Sequence, residues 1–300
     1  MLTPLSTRRH FLKVSGISAA VVPFIGLSAL PLQSGCTPSN LSIQEVIDKI
    51  IAQIPGGKKE QTVDTVKSGT PTDPVTGIVT TFLATVDVIR QAAEKGANLI
   101  ITHEPTFYNH HDETDWLADD PVYTYKRSLL DEHGIVVWRF HDYWHLHQPD
   151  GILHGLLQDL DWQDYLDPNR KSVCVIPPTN LRSLATFFKD RLMLKRTFFI
   201  GDPALACTKI GLHPGAMGRD NHVRFLREDI EVLVIGEINE WETVEYVRDA
   251  VAAGMNKGLI ILGHAMSEEP GMRYAQEWLS QLVPAVPSYH VPALDPFSPV

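Results

Sequence analysis

The run Leu99-Ile100-Ile101-Thr102 is apolar or β-branched throughout and is stopped by His103-Glu104-Pro105. Proline fixes φ and removes a backbone donor, so a regular strand cannot continue through it. The stretch reads as a short buried strand whose carboxyl end carries an imidazole and a carboxylate. In open α/β sheets, ligands bind at that end. Upstream, residues 77–82 read as a strand. Residues 84–94 read as a helix with Val86, Ile89 and Ala93 on one face, stopped at Gly96. Strand, helix and strand make one βαβ unit, parallel and with a right-handed crossover.

The same order recurs late in the chain. Residues 230–235 form a strand ending at Gly236-Glu237, residues 242–253 a helix closed by Gly254, and residues 258–262 a strand ending at Gly263-His264. Each unit delivers a histidine to an equivalent strand end. Between them, 122–131 is a helix, and the strand 135–140 delivers His141, His145 and His147. Residues 41–54 are helical by apolar spacing, opened by a Ser42/Glu45 capping box. Further helices are expected at 152–166 and 181–192, and further strands at 172–176, 198–200 and 208–212. Residues 61–76 read as loop, Gly211, Gly215 and Gly218 as turn residues, and the tail from Pro284 as irregular chain. The class is α/β.

At 44% hydrophobic and 21% charged residues, the chain has the composition of a globular protein with a sizeable core. A net charge of −10 excludes nucleic acid as a general partner, because phosphate binding needs a basic footprint. Cys36, Cys174 and Cys207 form no C-x-x-C pair, and the last two lie in strand-like runs as buried thiols. No phosphate-binding or dinucleotide glycine motif occurs.

Residues 1–36 read as a twin-arginine export signal. Ser6-Thr7-Arg8-Arg9-His10-Phe11-Leu12-Lys13 precedes a modest apolar run that Pro23 and Pro31 interrupt. Cleavage near Ala29, or lipid attachment at Cys36 within Leu32-Gln33-Ser34-Gly35-Cys36, are both open. The mature chain, 37–300, is then expected in the periplasm or cell envelope.

Three strand ends carry ligand-type residues: His103 and Glu104, His141 with His145, and His264 with Glu268. His264 and Glu268 stand four apart, on one face of a helical turn. Taken singly, a histidine after a strand is a cap or loop residue; three converging strand ends change that reading. Imidazole with carboxylate suits Zn, Mn, Fe or Co. Five such ligands exceed what one tetrahedral zinc takes, and a pair of divalent ions sharing a carboxylate fits better. With His103, Glu104, His145, His264 and Glu268 as ligands, His141 or Glu237 is left to move a proton.

Taken together, these stretches resemble the Nif-three-like family of dinuclear metal proteins, often labelled GTP cyclohydrolase I type 2. The resemblance runs from about Leu41 to Leu294 and rests on residues 75–87, 96–105 and 236–268. The family's first strand ends in two histidines, whereas here the second is Glu104. The family places an aspartate four residues after the middle histidine, whereas here His145 follows His141. The set still holds three imidazoles and two carboxylates. That implies a retained metal pair with redistributed ligands, the other reading being the loss of one metal position. The family's early Trp-Asp/Glu-x-x-Gly-Leu element is absent, and Asp64 to Gly69 stands there. The resemblance implies two linked three-layer α/β/α lobes, with residues 151–225 roughly the second and the metal site between them, and a homo-oligomer, often a hexameric ring. It also implies a small-molecule substrate. A hydrolase acting on a phosphoester or cyclic C–N bond is expected. A non-catalytic metal-binding scaffold and a metal-independent binding module are the alternatives. GTP itself is scarce where an exported protein works.

Overall fold

Side chains alternate across a strand, so a strand buried on both faces must carry apolar residues in succession. β3 shows this directly: Leu99 and Ile101 join one core cluster and Ile100 another. A computed structural model describes residues 41–300, which lie within one compact unit, Thr37–Val300. The export signal and Cys36 lie outside the described residues.

In chain order the elements are α1 (Ile43–Ile51), β1 (Val66–Ser68), β2 (Ile78–Thr81), α2 (Val86–Glu94), β3 (Leu99–Thr102), α3 (Pro121–Glu132), β4 (Val136–Arg139), α4 (Asp142–Leu146) and α5 (Gly151–Leu160). There follow β5 (Val173–Asn180), α6 (Leu181–Arg191), β6 (Phe198–Ile200), β7 (Ala206–His213), α7 (Arg219–Leu226), β8 (Val232–Ile235), α8 (Glu245–Ala252), β9 (Gly258–Ile261), α9 (His264–Leu282) and β10 (Ser288–His290).

They build two five-stranded sheets. The first has the order β1-β4-β3-β2-β10, parallel except for β1 at its edge. Its faces are covered by α1 and α9 on one side and by α2 and α3 on the other. The second has the order β5-β7-β8-β9-β6, with a parallel centre and antiparallel strands at both edges. Helices α5 and α6 cover one face, α7 and α8 the other. Each lobe is thus α/β/α, and the second sheet draws its strands from 173 to 261.

Two helices join the lobes. On α5, Ile152 packs in the first lobe's core while Leu156, Leu157 and Leu160 pack in the second's. Helix α9 starts where β9 ends, yet Met272, Ala275 and Leu279 fill the first core. The two helices cross at glycines. A Cβ on Gly155 would stand 2.4 Å from the Pro270 carbonyl oxygen, and one on Gly271 would stand 2.6 Å from the Ile152 Cα. Only the absence of both side chains permits this approach.

Four elements depart from the sequence reading. β1 is a three-residue polar edge, and β10 is a three-residue strand beyond a proline-rich turn. Both are held by pairing to β4 and β2 rather than by their own pattern. Helix α7 follows Gly218 and is mostly polar, with His222 and Leu226 its buried residues. Helix α9 continues through Pro270, which is buried against α5. Cys174 and Cys207 are buried free thiols, as read from the sequence, and burial pushes them up to about 12 and about 11. Among the described residues, no helix is long and apolar enough to cross a membrane.

Candidate metal centre

The carboxyl ends of β3 and β4 deliver His103, Glu104 and His141, and the end of β9 delivers His264. One turn of α4 adds His145 and one turn of α9 adds Glu268. Helix α4 has five residues and cannot position itself. Asp64 does this from the segment before β1: its buried carboxylate accepts the backbone N–H groups of His141, Asp142 and Tyr143 at 2.8, 3.0 and 2.8 Å. The Asp142 side chain in turn accepts from Thr62 Oγ1 and the Val63 N–H.

Each imidazole is tied at Nδ1. His103 faces the Phe140 carbonyl at 3.1 Å, His141 faces Asp142 at 3.0 Å, His145 faces Asp150 at 3.0 Å and His264 faces Glu237 at 3.5 Å. A partner of this kind fixes ring orientation and leaves Nε2 as the donor nitrogen. The Nε2 atoms of His103 and His264 and Oε2 of Glu268 are buried and have no hydrogen-bond partner. Such atoms are costly unless something binds them.

The free atoms converge. His264 Nε2 is 3.1 Å from Glu268 Oε2, and His103 Nε2 is 3.6 Å from the same oxygen. Glu104 Oε1 lies midway in the cluster, 3.6 Å from both His141 Nε2 and His264 Nε2. Two groups, His103/His141/His145 and His103/Glu104/Glu268, bring donor atoms within 4.8 Å of one another. These are donor sets that hold divalent ions.

The charge pattern agrees. Burial, with His145 and His141 beside it, holds His103 well below the usual imidazole range, so it is neutral and ready to ligate. Burial also lowers His141. His264 behaves in the opposite way. Burial opposes its charge, but the carboxylates of Glu104, Glu237 and Glu268 around the ring push it up to about 12. Three carboxylates thus face one imidazole at this end of the cluster. Burial raises Glu268, the least exposed of these acids.

Two features that sequence reasoning missed hold the ligands in place. Arg139, fully buried on β4, donates to the carbonyls of His103 and His110 and lies 3.4 Å from Glu104 Oε2. A lone arginine in an apolar strand was the available signal. Gly215 has φ +74°, and a Cβ there would stand 2.0 Å from Glu268 Oε1. The loop after β7 therefore needs glycine to pass the carboxylate. Asp64, Asp142 and Asp150 left no signal, because their partners are set by the fold. Of the sequence candidates, His103, Glu104, His141, His145, His264 and Glu268 meet in one cluster. Glu237 stands at its rim, its side chain 60% exposed. The loop residues His110 and His111 stay outside the donor groups.

A family profile described as Duf34/NIF3 (NGG1p interacting factor 3) matches residues 42–293. Comparison with curated protein sequences gives no match. Among solved structures, Staphylococcus aureus protein SA1388 superposes with a TM-score of 0.70 at 16% identity, covering 87% of this chain and 100% of that one. A Bacillus cereus protein related to NIF3 gives 0.71 at 14%, covering 87% and 100%. Reduced HcgD from Methanocaldococcus jannaschii gives 0.58 at 14%, covering 83% and 97%. At these identities the shared property is the fold. Profile and fold agree over nearly all the described residues, and the chain belongs to the Duf34/NIF3 family.

Proposed function

We propose that this protein is an exported, metal-dependent hydrolase that works with a pair of divalent ions. The observation that supports it best is the cluster of inward-facing donors, each imidazole pinned from behind. His103 has one free nitrogen and can serve one ion. His103, His141 and His145 would serve one end of the site, and His264 with Glu268 the other. Glu104 Oε1, equidistant from His141 and His264, is the carboxylate the two ends would share. Bound divalent ions would supply a lowered water pKa and polarisation of the scissile group.

The chain's own residues supply the rest. Glu237 Oε1 faces His264 Nδ1, which holds the carboxyl below its usual range, and Oε2 is left to accept a proton. With His141 placed among the donors, Glu237 is the residue that moves the proton. Arg139 orients Glu104, whose carboxyl is held below its usual range against burial by His264 first, then His141 and Arg139. The substrate carries a phosphoester or a cyclic C–N bond. The paired arginines in residues 1–36 support export by the twin-arginine route to the periplasm or cell envelope, with processing near Ala29 or a lipid at Cys36. The family reading supports a homo-oligomer, a hexameric ring.

The test is hydrolysis of a simple phosphodiester with added Mn, Co or Zn. Turnover should vanish in His264→Ala. It should fall by roughly 100-fold in Glu237→Gln with metal content unchanged. No turnover with any of the three metals, in protein that binds them, would move the assignment to a non-catalytic metal-binding scaffold.

A further inference from the structure

The donors Glu104 and His264 form one end of a cavity of about 550 Å³. Its other walls are of a different character. Phe82, Leu83, Met266, Leu294, Pro296 and Phe297 present apolar surface to it. Leu294 and Phe297 are more than half exposed, at 64% and 58%. Apolar side chains grouped at the mouth of a polar site are surface awaiting a ligand.

The outer wall is the C-terminal segment, and it is tied down. Glu269 Oε2 accepts the Ala293 N–H at 2.9 Å, and Glu269 Oε1 accepts the Phe82 N–H at 3.3 Å. One buried carboxylate thus links two walls of the cavity, while its neighbour Glu268 faces the donors. Arg196, from the second lobe, lies 3.7 Å from Asp295 and places its guanidinium 4.0 Å from the centre of the Phe297 ring.

The charges limit the occupant. Among the described residues, Lys126 is the one Lys or Arg that lines the cavity, against Glu104, Glu237 and Asp295. The Lys126 ammonium already donates to the Thr106 carbonyl at 2.6 Å and sits over the Tyr108 ring. Beyond the Glu104/His264 end, the remaining phosphates of a nucleoside triphosphate need further free cations, ideally forked guanidinium groups, and the cavity walls do not offer them.

We propose that the cavity takes a compact, ring-containing, mostly apolar molecule that presents a single polar group to the Glu104/His264 end, and that Phe297 and Leu294 select it. This rests on the hydrolase reading for what happens at the polar group, and on geometry alone for the body of the ligand.

Non-cleavable probes test it. Binding of 1-naphthylmethylphosphonate, methylphosphonate and GTP to metal-loaded protein is measured by calorimetry. The naphthyl compound should bind at least about tenfold more tightly than methylphosphonate, since a fused ring buries far more apolar area. Phe297→Ala and Arg196→Ala should each erase most of that advantage with metal content unchanged. Phe297 is exposed, so its removal leaves the fold intact. Equal affinity of the two phosphonates, tighter binding of GTP, or an advantage that survives both variants would overturn the assignment. Failure of the hydrolase reading looks different. If 1-naphthyl phosphate is bound but neither it nor the simple phosphodiester is turned over with Mn, Co or Zn, that reading falls and the cavity assignment stands. Equal kcat/KM for 1-naphthyl phosphate and glycerol 3-phosphate does the reverse.

Discussion

The units β2-α2-β3 and β8-α8-β9 have the same topology, four-residue strands of matching length, and a histidine just past the second strand. The two histidines meet at one carboxylate oxygen of Glu268. In every other respect they differ. His103 is fully buried, is followed by an irregular Glu104-Pro105 turn, and is tied to a backbone carbonyl. His264 is 19% exposed at its side chain, opens a 19-residue helix, and is tied to a carboxylate. Burial lowers the proton affinity of one, and the surrounding carboxylates raise that of the other. A βαβ unit therefore fixes where a ligand stands. Its charge is set by groups that arrive from elsewhere in the fold.

The largest expected effect comes from breaking either unit's ligand. His103→Ala and His264→Ala should each weaken metal binding by more than about 100-fold, beyond what loss of an outer partner causes. Competition with a chromophoric chelator measures this. If one variant retains wild-type affinity, the two units are not equivalent as donors.

The meeting of the units depends on the α5–α9 crossing. Gly155→Ala or Gly271→Ala forces backbone apart and should lower stability by about 3 kcal/mol or prevent folding. Denaturant unfolding reads this directly, and an unchanged midpoint would contradict the crossing geometry.

The outer partners sharpen the contrast between the two ends of the cluster. Asp150→Asn and Asp64→Ala act on the His141/His145 side alone. Each should cost about 10- to 100-fold in metal affinity with little change at the His264 end. A metal loss shared equally by both ends would show that they act as one unit.

The smallest effect concerns an imidazole pair of the second lobe that lies outside the donor cluster. His213 ends β7 and His222 lies on α7; both are buried, and burial pushes both down to about 4. Unfolded, each takes up a proton near pH 6.5, so the unfolded state binds more protons between pH 6.5 and 4. Stability from these groups is complete above that window and is lost as pH falls through it. Asp64 works in the opposite sense, since burial raises its carboxyl to about 6. Comparison of His213→Phe with wild type isolates the histidine part. The variant should lose on the order of 1 kcal/mol less between pH 6.5 and 4. An identical acid slope would show that His213 does not titrate on unfolding.

Both βαβ units, the three strand ends and the six residues that meet in the cluster were legible in the sequence, because apolar runs ending in His or Glu are local patterns. What was not legible depends on distance along the chain. Asp64 acts on residues 77 to 79 positions away. Gly215 is required by a carboxylate on α9, and β10 exists only because β2 offers an edge. The spacing of His141 likewise says nothing of His103, whose ring stacks 4.7 Å away. No local pattern carries a partner that the fold brings in later.

The measurement that bears most directly on a paired centre is metal content per chain by mass spectrometry. It should be made on protein purified without chelator or affinity metal, beside Glu104→Ala and His145→Ala. About two ions per chain, falling in both variants, is the expected result for a site that shares Glu104 between two ends. One ion or none, unaffected by either substitution, would contradict the paired centre and leave the cluster as a single or vestigial site.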